Sequence, residues 1–427
     1  SWYFDHDPET LFHYALDDVR ETRGISAVLS PNYCVQAQIF PYSFQDTALT
    51  NDPTKIDRLM LREYLAQGHS IPAPLTAVPA PEKYATLEVS GVSRPVLHCD
   101  VTSLHSAVML SLDSRPEADD LGIFRALLGG FRDLRERGGQ SDITSLVGDD
   151  DRFYGTIRSG LKVLMDSFHD YLACPTGHFN DFRVADFVTQ AADEHTKKLA
   201  GWFDRRGHRV VTVDASGIYV VPPTGITRAQ EEAALMMEVE TLFPRKVELP
   251  VAPYQAIFCY APGNYALLDE QGQQFIVGSD LSPRGLERYR REWLQQTLML
   301  LLNGRDHEVR ALYERYRDAV GSHRLDLLLL KRIETLRESL DGYQMKVKGG
   351  KQHPRGAYEV ALRSDRNYLP GDQISYYVVG EGANVMVNAN CRNVSEWDPT
   401  SPDENVDYYK ARLRELYERL APFLAEE

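Results

Sequence analysis

Two aspartates at the ends of β-branched, apolar runs are the residues of this 427-residue chain best suited to chemistry. Asp100 ends the run that begins at Val96, and Asp214 lies in the short turn of a predicted hairpin over residues 209–223. Carboxylates from two separate strands can bind a pair of divalent metal ions, which stabilise the attacking and leaving oxygens of a phosphoryl displacement. Because Asp and Gly are ordinary turn residues, a purely structural turn fits this hairpin as well.

The pattern of apolar residues predicts the elements that position these aspartates. Strands are expected within residues 84–110 and over 256–260, 265–268 and 275–277, and helices over 1–25, 54–67, 120–137, 152–172, 184–206 and 229–242. Residues 286–340 are predicted to be strongly helical, and a final amphipathic helix is predicted within 403–424. The proline-rich stretch 71–81 is typical of a linker and marks a boundary.

The composition bounds the class of protein. A chain of this length with 43% hydrophobic residues can bury a large core, which predicts two or three domains. The five cysteines are scattered without a CxxC pair, so we expect neither a disulfide framework nor a zinc site. The first residues lack a basic-then-apolar signal segment, and apolar runs such as Leu327–Leu330 are too short to cross a bilayer. We therefore expect a cytoplasmic protein without a membrane partner.

Charge is unevenly distributed along the chain. The formal net charge of −15 argues against a protein that coats DNA with its whole surface. Residues 284–366 nevertheless carry 18 Lys and Arg against 12 Asp and Glu, a local +6 that leaves −21 for the remainder. Such a basic segment is compatible with a groove for a phosphate backbone, and a solvated helical face fits it equally well.

The two aspartate motifs resemble motifs A and C of family B DNA polymerases, whose usual forms are Asp-x-x-Ser-Leu-Tyr-Pro-Ser and Asp-Thr-Asp-Ser/Gly. The resemblance extends, in order, over nearly the whole chain. The chain resembles a bacterial branch of the family in particular. It implies an α+β right hand with a palm sheet, two-helix fingers and a mainly helical thumb, and it implies nucleoid association. The expected domains are a remnant of the exonuclease-end helix with a linker (1–83), palm (84–117), fingers (118–172), palm with the hairpin (173–283), and thumb with the C-terminal helix (284–427).

Several positions depart from the family's motifs. Ser216 stands where motif C has its second metal-binding aspartate, and His105 stands at the steric-gate tyrosine of motif A. The family's Lys-x-x-x-Asn-Ser-x-Tyr-Gly element keeps its lysine as Lys162 but has Asp166 in place of the asparagine. Tyr14-x-x-x-Asp18 resembles the third exonuclease motif, whereas the first two are absent. The resemblance therefore implies a polymerase core without a working nuclease and with eroded polymerase motifs.

The resemblance assigns candidate site residues. Asp100 and Asp214 are the candidate catalytic residues and metal ligands, with Ser216 as the degenerate third position. The candidates for binding a nucleotide are Ser103, Leu104, His105, Arg158, Lys162 and Asp166. The candidates for binding DNA are Asn264, Tyr265, Arg284, Lys346, Lys348 and Lys351. The expected cofactor is Mg²⁺ if the chain is active, and otherwise none.

Three functions are compatible with these observations. The leading hypothesis is a catalytically degenerate family B polymerase-like protein that acts as a DNA-binding or scaffold subunit in DNA replication, repair or defence. Its expected partners are DNA, as primer-template or single strand, and another protein subunit such as an active polymerase or nuclease. The alternative is a divergent but active DNA-directed DNA polymerase. The second alternative is a protein-interaction module without DNA binding, which the net charge of −15 favours.

Overall fold

The computed structural model describes residues 7–76, 84–101, 104–137, 151–226, 228–242, 249–283 and 285–424. Its helices are α1 (Pro8–Ile39), α2 (Phe44–Leu49), α3 (Asp52–Ala66), α4 (Leu104–Ser111), α5 (Ile123–Arg137), α6 (Asp151–Leu172), α7 (Phe182–Arg205), α8 (Arg228–Leu242), α9 (Arg288–Leu302), α10 (Val309–Gly321), α11 (Leu327–Leu330), α12 (Leu340–Lys348), α13 (Gly356–Arg363) and α14 (Val406–Leu420). Its strands are β1 (Thr86–Leu87), β2 (Gly91–Ser93), β3 (Val96–Asp100), β4 (Arg209–Asp214), β5 (Gly217–Val221), β6 (Val251–Tyr254), β7 (Ala256–Ala261), β8 (Asn264–Leu268), β9 (Gln274–Val277), β10 (Arg332–Thr335), β11 (Gln373–Val378) and β12 (Cys391–Asn393). Short 3₁₀ turns cover Asp306–Glu308, Val394–Glu396 and Ala421–Phe423.

The first sheet has the strand order β1-β4-β5-β3-β6, with every neighbouring pair antiparallel. Its central hairpin, β4–β5, forms because two β-branched runs flank a four-residue turn of Asp, Ala, Ser and Gly. One face of this sheet packs against helices α3 to α7 around a core that contains Phe168, Val213 and Ile218. The hairpin packs on this core through Val213 and Ile218, which fixes the position of its tip.

Two further sheets lie later in the chain. The sheet β2-β7-β8-β9 packs against α9 and α14 around Phe258, Trp293 and Leu413. The sheet β10-β11-β12 packs against α12 and α13 around Tyr343 and Tyr358, whose rings stack 4.2 Å apart. The predicted α+β class is thereby confirmed.

The structure corrects two of the predicted elements. The helix predicted over residues 1–25 begins at Pro8, where Asp7 accepts a hydrogen bond from the Thr10 amide, and it continues through Pro31 to Ile39. The prediction of strong helicity over 286–340 is wrong for Arg332–Thr335, which form β10. There the alternating exposure of successive side chains and the pairing with β11 override the helical surroundings. The turn predicted between the two fingers helices falls on residues 138–150, outside the described residues.

The division into palm, fingers and thumb at residues 84, 118, 173 and 284 stays a prediction. In the part of the chain that the structure describes, no helix combines the length and the apolar character needed to cross a membrane.

Candidate functional site

Strand pairing brings Asp100 and Asp214 to the same end of the first sheet. Gly217 is the register partner of Asp100 across β3–β5 and also the register partner of Asp214 across β4–β5. The Val101 amide donates to the Ser216 carbonyl at 3.3 Å, which fixes the hairpin turn beside the end of β3. Neighbouring strands lie about 4.8 Å apart. The two aspartates therefore lie on either side of β5, at the same end of the sheet.

Gly217 is required for this arrangement. Its φ is +153°, and a Cβ atom built on it would lie 2.1 Å from the carbonyl oxygen of Cys99. No larger residue fits between the hairpin and β3 without moving one of the strands. The glycine is therefore what allows the two aspartate-bearing segments to approach each other.

The turn itself engages Asp214. The Asp214 Oδ1 atom accepts hydrogen bonds from the Ser216 amide at 2.8 Å, from Ser216 Oγ at 2.6 Å and from the Gly217 amide at 3.3 Å. This oxygen is thus occupied by three donors of its own turn. Ser216, the predicted degenerate position, therefore acts as a hydrogen-bond donor to Asp214.

Two buried tyrosines complete the network at the hairpin tip. Tyr265 OH lies 3.2 Å from Ser216 Oγ and 3.0 Å from Tyr219 OH. Burial raises the pKa of Tyr265 to about 12 and raises the pKa of Tyr219 above its ordinary value, so both hydroxyls stay protonated near neutral pH. His98 stacks on Tyr219, its Nε2 lies 3.3 Å from the Ser216 carbonyl, and burial lowers its pKa. Sequence reasoning missed this network, because β5 is buried at four of its five positions and no alternation of apolar and polar residues singles out Tyr219.

Lys162 lies against Asp100. Its Nζ atom is 3.0 Å from Asp100 Oδ2, and each side chain is about a quarter exposed. Helix α6 thereby joins the predicted nucleotide-binding residue Lys162 to a predicted metal ligand. A cation already balances the charge of that carboxylate.

Asp166 lies one helical turn after Lys162. Ser106 Oγ donates to Asp166 Oδ1 at 3.4 Å. Burial raises the pKa of Asp166 to about 7, while the nearby charge of Lys162 opposes the shift. Near neutral pH this carboxyl group is therefore divided between its neutral and ionised forms.

A cavity of about 250 Å³ adjoins the hairpin tip. Asp166, Asp170, Asp193 and Asp214 supply carboxylates to its lining, and His105 and His169 supply imidazoles whose ring centroids lie 4.5 Å apart. Its apolar lining includes Leu104, which is 1% exposed. The cavity is therefore rich in negative charge, in contrast to a site built for a triphosphate.

The structure places the remaining predicted residues away from this cavity lining. Arg158 is exposed on α6, and Lys348 and Lys351 are exposed at and after the end of α12. Lys346 Nζ is 2.7 Å from Glu338 Oε2. Asn264, the first residue of β8, accepts a hydrogen bond from the Asp280 amide at 2.8 Å. Tyr265 is 1% exposed and contributes to the hairpin network, so its predicted DNA contact stays a prediction, as do the others. Ser103 and Arg284 lie outside the described residues.

The donor set does not fit a pair of magnesium ions. Magnesium requires oxygen ligands in near-octahedral geometry, and two-metal sites use bridging carboxylates. Here Asp214 Oδ1 accepts three hydrogen bonds from its own turn, Asp100 contacts Lys162, and the third position is a neutral hydroxyl. Among the residues whose placement is known, no group of three or more His, Cys, Asp and Glu side chains is arranged for a metal ion. The use of magnesium stays a prediction.

Comparisons with known proteins give the fold. No protein-family model matches the chain. Over 136 residues, 31% of the chain, it is 26% identical to DNA polymerase 1 of Pyrococcus abyssi, and the match spans 17% of that protein. The solved structure of the family B DNA polymerase from the hyperthermophilic archaeon Pyrobaculum calidifontis matches with a TM-score of 0.75 and 18% identity, covering 98% of this chain and 57% of that one. The chain thus has a family B polymerase-like fold and spans little more than half the length of that relative.

Proposed function

We propose that this chain is a polymerase-fold protein with a degenerate metal site, which binds DNA as a subunit or scaffold and does not extend a primer. The observation that carries the proposal is that both aspartates are engaged by donors of their own chain. Lys162 contacts Asp100 at 3.0 Å, and Ser216 donates to Asp214 at 2.6 Å. Its setting would be DNA replication, repair or defence, beside a second protein that carries the activity.

The missing carboxylate decides the expected rate. In phosphoryl transfer the metal ions neutralise most of the charge that develops in the transition state. A serine hydroxyl is a neutral, weak ligand, and at position 216 it is already used as a donor to Asp214. We therefore expect nucleotidyl transfer to be slower by several orders of magnitude than with two metal-binding carboxylates.

The fold and the basic segment support DNA as the partner. The two relatives are a DNA polymerase and a family B DNA polymerase. Lys348 and Lys351 are exposed in a segment that carries a local charge of +6, on a chain whose remainder is acidic. Lysines in such a segment neutralise phosphates and release counterions, so binding should weaken steeply with salt. The relative of known structure comes from an archaeon, and placement of this chain in a bacterial branch is part of the proposal.

A divergent but active polymerase is the second candidate. The observation in its favour is that Asp100 and Asp214 lie at the same end of one sheet, and that Asp214 lines a cavity of about 250 Å³. In that case Asp100 and Asp214 alone would carry the metal chemistry. The rate would then depend on Asp100, and restoring the carboxylate with Ser216→Asp would change an activity that is already measurable.

Primer extension decides between these two candidates. The purified chain is incubated with a labelled primer-template and nucleotides, first with Mg²⁺ and then with Mn²⁺, and DNA binding is measured in the same sample by fluorescence anisotropy. The matched control is Asp100→Ala. No extension together with salt-dependent binding is the expected result. Extension by the wild-type chain that disappears in Asp100→Ala would overturn the proposal in favour of the divergent polymerase.

DNA binding decides the third hypothesis. Absence of binding at low salt, in a sample that is folded by circular dichroism, would favour a protein-interaction module that has also lost its duplex groove.

A further inference from the structure

A second cavity lies where helices α1, α3 and α6 meet. Its volume is about 380 Å³, within the range of about 300–1,000 Å³ that is usual for small-molecule sites. Its lining includes Asn32, Tyr33, Gln36, Asp52, Lys55 and Gly160. Helix α6 therefore contributes to both sites. Lys162 and Asp166 lie at the hairpin site, and Gly160 lines the second cavity.

A buried lysine forms one wall of the cavity. The Lys55 side chain is 3% exposed, and its Nζ donates to Gln36 Oε1 at 2.8 Å and to Asp52 Oδ1 at 2.7 Å. An ammonium group has three N–H bonds to donate. Within the described ranges no protein nitrogen or oxygen accepts from the third, and the remaining contact of Nζ is with the Tyr33 ring, whose centroid is 5.6 Å away. Burying an ammonium group is costly unless its donors are satisfied.

An amide beside this lysine is held in one orientation. Gln36 Nε2 donates to Asn32 Oδ1 at 3.3 Å, which assigns the oxygen of the Asn32 amide and leaves its NH₂ group to donate. A Cβ atom at Gly160 would lie 1.9 Å from Asn32 Oδ1, so a larger residue there would displace the Asn32 amide from this position. The glycine thereby keeps the amide at the wall of the cavity.

The lining excludes two classes of ligand. An isolated phosphate or carboxylate would face Asp52 as well as Lys55, so the net charge offers little attraction. A purely apolar ligand would leave the Lys55 and Asn32 donors without acceptors. The cavity instead suits a planar group that has oxygen acceptors at its edge and an apolar face. Tyr33, whose ring centroid is 5.6 Å from Lys55 Nζ, provides an aromatic surface for such a face.

We propose that this cavity takes an unpaired nucleobase of a single-stranded nucleic acid. The base accepts hydrogen bonds from Lys55 and Asn32 through a ring carbonyl oxygen and packs against Tyr33. Single-strand recognition generally combines aromatic contact with hydrogen bonds to the exposed edge of a base. The proposal rests on the proposed function in that a DNA-binding chain would present such a strand to α6.

Two glycine variants of the same helix test the cavity. Gly160→Ala drives a methyl group into Asn32, whereas the exposed Gly155 has nothing within 4 Å of its Cβ position, so Gly155→Ala is the matched control. Affinity for oligo-dT and for an abasic oligomer of equal length is measured by fluorescence anisotropy. Gly160→Ala should weaken oligo-dT binding about tenfold and leave abasic binding unchanged, while Gly155→Ala changes neither.

Saturation-transfer NMR with free thymidine and free deoxyribose makes the test independent of DNA affinity. Transfer to the thymine ring protons is expected with the wild-type chain and Gly155→Ala, is lost in Gly160→Ala and Lys55→Met, and is absent for deoxyribose. No transfer to thymidine in the wild-type chain, or equal transfer in Gly160→Ala and Gly155→Ala, would overturn the cavity assignment. Transfer to thymidine without any oligomer binding would retain the cavity and overturn the proposed DNA-binding function. Circular dichroism measures whether each variant is folded. If Gly160→Ala is unfolded, the result for Lys55→Met decides the cavity assignment instead.

Discussion

Lys162 lies near two carboxylates, and its charge acts on both of them. It contacts Asp100 directly, and it opposes the rise in the pKa that burial imposes on Asp166. This single positive charge offsets part of the charge of the two aspartates without a metal ion. A divalent cation would therefore have to compete with Lys162 for Asp100.

Replacing Ser216 by aspartate supplies the second carboxylate that the resemblance to motif C predicts at this position. Ser216→Asp removes the hydrogen bond to Asp214 Oδ1 and sets two carboxylates against each other. Without divalent metal we expect a loss of about 2–4 kcal/mol in the free energy of unfolding. Mg²⁺ or Mn²⁺ should recover much of this loss, as measured by the melting temperature with and without metal. Ser216→Ala is the control and should lose about 1 kcal/mol without any metal response. Equal melting of the two variants under all conditions would contradict the expected juxtaposition of carboxylates.

Asp166 should make stability depend on pH. Its pKa in the folded chain, about 7, lies above its ordinary value of 3.8, so the folded state binds the proton more tightly. This contribution to stability is fully present below pH 3.8 and is lost as the pH rises through 7. Asp166→Asn removes the titration. We therefore expect the variant to be more stable than the wild-type chain by about 1–3 kcal/mol at about pH 8, with the difference disappearing toward about pH 4.

Melting temperatures across that pH range measure the effect. Asp170→Asn is the control, because Asp170 lines the same cavity but its side chain is 66% exposed. A pH-independent difference between Asp166→Asn and the wild-type chain would show that Asp166 is not buried as described.

At the scale of elements, the hairpin β4–β5 depends on its close approach to β3. Gly217→Ala combines a backbone strained at φ +153° with a Cβ atom 2.1 Å from the Cys99 carbonyl. We expect it to cost about 3–5 kcal/mol, since strain and overpacking each contribute about 1–3 kcal/mol. Gly263→Ala is the control: its φ is +66° and its Cβ position is open, so only backbone strain of about 1–2 kcal/mol is expected. Chemical denaturation measures both, and equal losses would contradict the close approach.

The elements could largely be predicted from the sequence, and their contacts could not. The hairpin, α3 and α5 to α8 lie within a few residues of the ranges that periodicity predicts, because each is specified by local apolar spacing. The contact between Lys162 and Asp100 joins residues 62 positions apart, and the contact between Tyr265 and Ser216 joins residues 49 apart. Such contacts depend on how helices and sheets dock, which no local pattern contains. β10 was missed for the same reason, since its strand conformation depends on pairing with β11.

At the scale of the whole molecule, an acidic body carries one basic segment. Residues 284–366 have a local charge of +6 within a chain of −15. Within this segment many arginines pair with acidic neighbours, as in the contact of Arg332 with the buried Glu287 and the half-buried contact of Arg355 with Glu334 at 3.0 Å. The local excess of positive charge is therefore partly consumed inside the fold, and the exposed lysines around the end of α12 are the groups best placed to meet a phosphate backbone.

Those lysines provide the last prediction. Lys348→Gln combined with Lys351→Gln should weaken duplex DNA binding and reduce the slope of log affinity against log salt by about 2, since each phosphate contact contributes about 0.9. Lys346 is left unchanged because it already contacts Glu338 at 2.7 Å. Fluorescence anisotropy over a salt series measures the slope. Lys198→Gln is the control: Lys198 is also exposed but lies on α7, outside the basic segment, so its replacement should leave the slope unchanged. If the double variant keeps the wild-type slope, the basic segment is a solvated face rather than a DNA groove. A slope reduced equally by Lys198→Gln would indicate that net charge alone, and not a defined groove, governs binding.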